Sequence, residues 1–319
     1  MAAVVFEDLS GTATTPNSQS ANPYQPLIEN ANNDPLQIQS RYSTHRTTRN
    51  EVQRSIILDP SFSAWTLDPI LAKLDGPNKD PGFVDDRFCL VFWGRPPRHI
   101  RDMIDNIQQE LRSVVPDMWF MPLENLHITV LELIFSVSES EVERIVETLL
   151  QNGTAEKIAN TTFDLPQCQR PRLVRPMISF DAAAMALSFV PAAGENQQQN
   201  AEEELEEGSS RGKFTYHHLR KDIYDKVVAA GIKPASRYAV PSAHLTIARF
   251  INQNGFLCDD GVTFDHAKVK RVIDKIEELN DRLQAQYWPK TDAAGGIPHG
   301  GDWTIGQEKG LDFHTNQLV

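Results

Sequence analysis

Leu126-His127-Ile128-Thr129-Val130 and Ala243-His244-Leu245-Thr246-Ile247 are two copies of one short pattern, a histidine and a threonine two positions apart in an aliphatic frame. In a β-strand, side chains at positions i and i+2 point to the same face. Each copy therefore directs its histidine and its threonine hydroxyl to one side of a strand and its aliphatic side chains to the other. The pattern predicts two strands with an apolar underside and a polar upper side, which meet across one cleft.

A third match to the same spacing, His45-Arg46-Thr47, serves as a comparison. It lies in a polar stretch of Ser, Thr and Arg that lacks the alternation of apolar and polar residues. We exclude it, because the apolar frame and not the spacing alone indicates a strand. A single histidine of this kind is more often structural than catalytic, and it is the matched pair that favours a shared catalytic site.

Length and composition limit the classes of protein to be considered. With 319 residues the chain can bury a full core, as one large domain or as two lobes with tails. The formal net charge of -12 argues against a protein that coats nucleic acid through a basic face, although a local basic cleft stays possible. Cys89, Cys168 and Cys258 are too few and too widely spaced to indicate a disulfide framework or a Cys-x-x-Cys metal site.

No targeting segment is recognisable in the sequence. No apolar run approaches the ~20 residues of a transmembrane helix. Residues 1–6 are too short for a secretory core, and Glu7 and Asp8 follow them directly. We therefore expect a protein of the cytosol or the nucleus that does not associate with membranes.

Composition and periodicity divide the chain into three parts. Residues 1–54 are dominated by Ser, Thr, Asn, Gln and Pro, which predicts a disordered polar arm. Residues 55–86 contain enough apolar side chains to dock on the main body as a packing segment. Residues 87–319 are predicted to form a two-lobed domain, interrupted at about 191–212 by an acidic disordered insertion.

The two halves of this domain follow a similar plan of strands and helices. In the first half, strands are predicted at 88–93 and 125–133, and helices at 97–115 and 138–152. In the second half, the predicted strands are 173–180, 184–190 and 243–250, and the predicted helices are 214–230 and 265–286. Glycines weaken the indication of a last strand at 303–313.

The paired motifs in this α+β pattern resemble those of the two-histidine phosphoesterase superfamily, the group of RNA ligase-like and cyclic nucleotide phosphodiesterases. Residues 122–129, Pro-Leu-Glu-Asn-Leu-His-Ile-Thr, are similar to the first family motif with its lead-in, and residues 243–249, Ala-His-Leu-Thr-Ile-Ala-Arg, to the second. The resemblance covers roughly residues 87–319. It implies two α/β lobes related by a pseudo-twofold axis, with central antiparallel sheets that form a groove and helices outside. The acidic insertion and the irregular C-terminal stretch depart from the family pattern.

By this resemblance, the protein would be a metal-independent phosphodiesterase that hydrolyses cyclic phosphates, either 2′,3′-cyclic nucleotides or RNA ends. One histidine would activate water and the other would protonate the departing ribose oxygen, roles open to imidazole at neutral pH. His127 with Thr129 would form one half-site, and His244 with Thr246 the other. Similarity to family members favours His244 as the base and His127 as the acid. We expect no cofactor and no metal, and a nucleotide or an RNA terminus as the substrate; the sequence does not identify a protein partner.

Three aromatic residues and one arginine are further candidates for substrate binding. Trp119, Tyr238 and Phe92 could stack on a base, although core packing is the commoner role for each. Arg249 would face away from His244 on a regular strand, so a phosphate role for it requires a bulge.

Other functions are compatible with the same motifs. An RNA ligase or an RNA 3′-end exonuclease could use the same site. A non-catalytic nucleotide-binding module could keep the pocket without turnover. Two titratable groups in matched positions favour catalysis, because a protein that only binds has less need of them.

Overall fold

The computed structural model describes residues 7–11, 22–151, 153–166, 169–197, 213–236, 239–290, 296–298 and 300–317. In these residues the helices are α1 (Gln25–Asn30), α2 (Pro35–Ile57), α3 (Pro69–Leu74), α4 (Arg98–Arg112), α5 (Glu139–Gln151), α6 (Thr154–Ala159), α7 (Tyr216–Ala229) and α8 (His266–Tyr287). The strands are β1 (Phe88–Gly94), β2 (Trp119–Phe120), β3 (Ile128–Val137), β4 (Arg172–Phe180), β5 (Ala184–Pro191), β6 (Asn196–Gln197), β7 (Ala243–Arg249), β8 (Gly296–Ile297), β9 (Asp302–Thr304) and β10 (Asp312–Gln317).

Two antiparallel sheets form the centre of the fold. The first has the strand order β10-β1-β3, and the second has the order β2-β7-β5-β4-β9. The first motif lies at the start of β3 and the second lies in β7, so the two motifs belong to different sheets, and these two strands contact each other. The expected α+β fold with antiparallel sheets is confirmed.

Each sheet receives an edge strand from the other half of the chain. β2, which precedes the first motif, pairs with β7, and β10 from the C-terminus pairs with β1. The sheets are therefore unequal, with three strands and five strands. The two lobes that the resemblance implied are similar in plan but not in size, and the exchanged strands join them.

The predicted amphipathic helices are confirmed as α4, α5, α7 and α8. Their buried faces carry the apolar stripe that the periodicity indicated, as in α8, where the buried residues are Val269, Val272, Ile273, Ile276, Leu279 and Leu283. The weak final strand is two short strands, β9 and β10, separated by a turn with Gly306 at φ +76°. No helix among the described residues is both long enough and apolar enough to cross a membrane.

The prediction of a disordered arm over residues 1–54 was wrong for residues 22–54, which contain α1 and most of α2. Polar side chains anchor α2: Gln39 Nε2 donates to the Pro191 carbonyl at 2.8 Å, and Asn50 Nδ2 donates to the Ile178 carbonyl at 3.0 Å. A composition argument weighs apolar burial and misses a helix that is anchored by hydrogen bonds. Residues 1–6 and 12–21 lie outside the described residues.

The start of α2 did carry a local signal. Asp34 accepts a hydrogen bond from the Leu36 backbone N–H at 2.9 Å, and Pro35 occupies the first helical position. His45, from the excluded third match, lies on this helix and not on a strand, and the Leu9 backbone N–H donates to its Nδ1 at 3.1 Å. The disordered insertion predicted at about 191–212 falls mostly on residues 198–212, outside the described residues. The prediction was wrong for the described part, since Pro191 ends β5 and Asn196–Gln197 form β6.

Residues 55–86 pack along the second sheet. The ring of Trp65 is stacked on Phe250, directly after β7, with centroids 3.9 Å apart and planes 15° apart. The Asp68 backbone N–H donates to the Phe250 carbonyl at 2.9 Å. This segment therefore supports the C-terminal end of the second motif strand.

His217 connects the N-terminal helices to α7. Its side chain is fully buried; Nε2 donates to the Tyr24 carbonyl at 2.8 Å, and Nδ1 accepts from the Tyr42 hydroxyl at 2.9 Å. Burial lowers the pKa of His217 from 6.5 to about 3, so the imidazole is neutral in the folded protein.

The low pKa of His217 predicts a pH-dependent stability. Between about pH 6.5 and pH 3 the unfolded chain binds one proton more than the folded one, so the free energy of unfolding falls as the pH falls, by up to ~1.4 kcal/mol per pH unit. In His217→Gln, whose amide can donate to Tyr24 and accept from Tyr42, we expect this part of the slope to vanish. Urea unfolding between pH 7 and pH 5 measures it. The exposed His266→Gln is the control, and an unchanged slope in His217→Gln would contradict the assignment.

Candidate active site

The two motifs line one cleft at the junction of the sheets. The cleft has a volume of about 120 Å³ and is lined by His127, Thr129, Arg220, Ser242, His244, Thr246 and Arg249. All four residues predicted to be catalytic are therefore side by side, although they come from strands of different sheets. The aliphatic residues between and beside them, Ile128, Val130, Leu245 and Ile247, are at most 1% exposed, as the alternation predicted.

A backbone carbonyl orients His127. The ring Nδ1 lies 2.7 Å from the Asn125 carbonyl oxygen. Because a carbonyl oxygen can only accept, Nδ1 carries a proton and donates it, which leaves Nε2 as the ring nitrogen for the cleft. The imidazole is also stacked on the indole of Trp93, with centroids 3.7 Å apart and planes 17° apart.

Arg95 supports the turn that leads into His127. Its guanidinium donates to the Leu126 carbonyl at 3.2 Å and to the Glu124 carbonyl at 3.3 Å, and its Nε donates to Asp312 Oδ2 at 2.7 Å. The same guanidinium lies 4.8 Å from the ring centroid of Trp93. The position of His127 is thus determined by its own turn, by the stacked indole and by an arginine bonded to β10.

A hydroxyl takes the corresponding place beside His244. Ser242 Oγ lies 2.9 Å from His244 Nδ1. In both half-sites the group that contacts Nδ1 belongs to the residue two positions before the histidine, Asn125 in one and Ser242 in the other. Ser242 was not predicted, and the two positions share no signal in residue type, because Asn125 contacts its histidine through the backbone and Ser242 through its side chain.

The pKa of His244 is strongly lowered in the cleft. Burial lowers its pKa to about 4, and the positive charges of Arg49 and Arg220 act in the same direction. His244 is therefore a neutral imidazole at pH 7. Arg49 belongs to α2, so the N-terminal helix that the composition argument missed contributes to the electrostatics of the cleft.

Each motif strand contains a one-residue bulge directly after its threonine. On β3, Thr129 pairs with Trp93 and Leu131 with Phe92, so Val130 has no partner on β1. On β7, Thr246 pairs with Ala186 and Ala248 with Met185, so Ile247 has no partner on β5. A bulge shifts the alternation of side chains by one residue.

The bulge at Ile247 explains why Arg249 reaches the cleft. On a regular strand it would face away from His244, but after the bulge Arg249 shares the face of His244 and Thr246 and lines the cleft. Its NH1 lies 3.6 Å from Asp68 Oδ2. The condition that the sequence analysis set for Arg249 is met.

Arg220 is a second cation in the cleft and was not predicted. Its side chain, on α7, is only 2% exposed. No local pattern distinguishes it in the sequence, since it lies three residues after His217 on an ordinary helical stretch. With Arg249 it makes the cleft positively charged, although the whole chain has a net charge of -12.

Two of the three aromatic candidates for base stacking, Trp119 and Phe92, are not among the residues that line the cleft. Trp119 is 8% exposed, lies in the core, and donates from Nε1 to Asp75 Oδ2 at 2.8 Å. Phe92 is fully buried in the same core. The structure therefore favours the packing role for both. Tyr238 lies outside the described residues.

A larger groove, of about 580 Å³, lies between α1 and α7 and includes Asn33, His218 and Lys221 in its wall. Nδ1 of His218 accepts from the Thr215 backbone N–H at 3.1 Å, and its Nε2 donates to Asn33 Oδ1 at 2.7 Å. Both ring nitrogens are engaged, so this groove offers no acid–base pair. Among the described residues, no three His, Cys, Asp or Glu side chains are grouped so that they could bind a metal ion.

Comparisons with known proteins identify similar folds at low sequence identity. No family model matches the chain, and no curated protein matches it. A conserved protein of unknown function from Agrobacterium tumefaciens, ATU0111, is 11% identical, with 69% of this chain and 88% of that chain covered and a TM-score of 0.38. Kluyveromyces marxianus Usb1 is 16% identical, with 73% of this chain and 99% of that chain covered and a TM-score of 0.31. The structure of the same protein with uridine monophosphate is 12% identical, with 61% of this chain and 83% of that chain covered and a TM-score of 0.29. All of these TM-scores are below 0.5.

The low pKa of His244 can be measured directly. We expect the Cε1–H resonance of His244 to report a neutral ring from pH 8 down to pH 5, because its pKa is about 4. A two-dimensional ¹H–¹³C titration of histidine-labelled protein provides the measurement, and His244→Gln assigns the signal by its absence. A midpoint above pH 6 would show that the cleft does not depress this pKa.

Proposed function

We propose that this protein is a metal-independent phosphodiesterase that hydrolyses 2′,3′-cyclic phosphates on nucleotides or RNA ends. The observation that carries the proposal is one cleft lined by two oriented histidines, two threonines and two arginines. Hydrolysis requires a base for water, an acid for the leaving oxygen, and donors for the phosphate oxygens. The residues of the cleft supply all three without a metal ion.

His244 acts as the general base in this proposal. Its lowered pKa keeps it neutral at physiological pH, which is the form that accepts a proton. When Nδ1–H donates to Ser242 Oγ, the lone pair of Nε2 is available to a water molecule. That water attacks phosphorus as its proton moves to His244 Nε2.

His127 acts as the general acid. Its Nδ1 already donates to the Asn125 carbonyl, so protonation occurs at Nε2, which then faces the cleft as a donor. The stacked face of Trp93 stabilises an imidazolium through a cation–π interaction. The bond between phosphorus and one ribose oxygen breaks, and that oxygen takes the proton from His127 Nε2, which leaves a phosphomonoester.

The remaining residues of the cleft stabilise charge on the phosphate. The hydroxyls of Thr129 and Thr246 donate to its non-bridging oxygens, one from each half-site. Arg249 and Arg220 add positive charge where negative charge increases in the transition state. A cleft of about 120 Å³ is suited to the phosphate group, which fits a reaction centred on phosphorus.

The first test is turnover in the presence of a chelator. With excess EDTA we expect the purified protein to convert 2′,3′-cyclic nucleotides to monophosphates, because no step needs a metal. His127→Ala and His244→Ala should each lower kcat by about 10²- to 10⁴-fold, the usual contribution of a general acid or base. His266→Ala, on the exposed start of α8, is the control. Tight nucleotide binding without turnover would instead identify a binding module.

The second test separates the roles of the two histidines. The acidic limb of the kcat/KM profile should have its midpoint near pH 4, because His244 must be neutral. The alkaline limb should reflect loss of the His127 imidazolium. Trp93→Leu should move only the alkaline limb to lower pH, by about 0.5 pH unit, since a cation–π contact contributes about 0.5–1 kcal/mol. Trp93→Phe keeps a π face and serves as the control. A shift of the acidic limb in Trp93→Leu would instead assign the base to His127 and the acid to His244.

A further inference from the structure

The bulges after Thr129 and Thr246 each present a backbone carbonyl that a buried side chain contacts. The Val130 carbonyl, in the first motif strand, accepts from Arg220 Nε at 3.1 Å. The Ile247 carbonyl, in the second, accepts from Gln108 Nε2 at 2.9 Å. Both donors are almost fully buried, with Gln108 3% and Arg220 2% exposed. The two motif strands therefore share a bulge and a buried donor at the same position.

The donor in each case comes from the opposite half of the chain. Gln108 lies on α4, in the half that carries the first motif, and contacts the bulge of the second. Arg220 lies on α7, in the half that carries the second motif, and contacts the bulge of the first. The arrangement is reciprocal, as expected for two related lobes that meet at the cleft.

Each donor also contacts the other motif segment. Arg220 NH1 donates to the Val240 carbonyl at 3.0 Å, four residues before His244. Gln108 Nε2 donates to the Met121 carbonyl at 2.9 Å, in the segment that leads to His127. Arg220 on α7 thus links the two half-sites, and so does Gln108 on α4.

We infer that Gln108 and Arg220 are a reciprocal pair of positioning residues, which hold the two motif bulges and so set the alignment of His127 with His244. This inference rests on the proposed function for its kinetic part only. A bulge determines which residues face the cleft, and a slip of one residue turns every side chain to the other face. A donor bonded to the bulge carbonyl keeps that register in a way that an apolar side chain of the same size cannot.

Gln108→Met is the first variant, because it keeps side-chain length and removes the donor. We expect kcat to fall about 10- to 100-fold with little change in KM, as for a small misplacement of reacting groups. Gln109→Met is the matched control: Gln109 is the next residue on α4, is exposed, and donates to Asp105 within its own helix. Should Gln108→Met fail to fold, Gln108→Asn retains an amide that is one methylene too short to reach Ile247.

Arg220→Lys is the second variant, because it keeps the positive charge and loses the geometry that serves two carbonyls at once. We expect kcat to fall by a similar factor while the acidic limb of the pH profile, which depends on the charge near His244, stays in place. Lys221→Arg, at the next and half-buried position of α7, where Nζ donates to Asp225 on the same helix, is the control. A purely electrostatic role for Arg220 predicts wild-type kcat in Arg220→Lys and would overturn the inference.

Histidine NMR spectra separate this inference from the proposed function. The ring resonances of His244 should shift in Gln108→Met, and those of both His127 and His244 in Arg220→Lys, whether or not the protein is active. Absence of turnover in the wild type together with these shifts would reject the phosphodiesterase and keep the positioning roles. Unchanged ring resonances in both variants, or loss of folding in Gln108→Met and Gln108→Asn alike, would reject the positioning roles and leave Gln108 with a structural role only.

Discussion

The structure depends on the contact between β3 and β7, two strands of different sheets that bring two distant histidines to one cleft. The strand pairing around this contact joins the two halves of the chain, since β2 and β10 each pair within the sheet of the other half. α4 and α7 then place Gln108 and Arg220 on the bulges of these strands. The junction is therefore held by backbone hydrogen bonds as well as by apolar packing.

The two half-sites are alike in sequence and different in environment. His127 lies against an indole and donates to a backbone carbonyl, whereas His244 is half-buried near cations and contacts a hydroxyl. A π face favours an imidazolium, while burial beside positive charge favours a neutral ring. A nearly symmetric pair of motifs thereby has two different environments, and the environment of His244 lowers its pKa to about 4.

The N-terminal helices belong to the site although they lie outside the part of the chain that carries the motifs. Arg46 on α2 donates to the Ser188 carbonyl at 3.2 Å, and Ser188 is paired with His244 across β5 and β7. Arg49 on the same helix contributes to the lowered pKa of His244. Tyr24, next to α1, accepts from Arg220 through its hydroxyl at 3.2 Å. These polar contacts connect a segment of low hydrophobicity to the cleft.

The sequence by itself determined the α+β fold class, the main strands and helices, and the two histidine–threonine pairs, because periodicity and spacing are local properties of the chain. Tertiary structure alone decided that Arg220 lines the cleft and that the two sheets are unequal. The start of α2 had a local signal at Asp34 and Pro35, but the hydrogen bonds that anchor this polar helix on β4 and β5 could not be read from the sequence. Tertiary structure also decided the outcome for Arg249, since a bulge depends on how two strands pair and not on either strand alone. The pKa of His244 was also decided by the tertiary structure, because it depends on burial and on arginines that are distant in sequence, which no local pattern encodes.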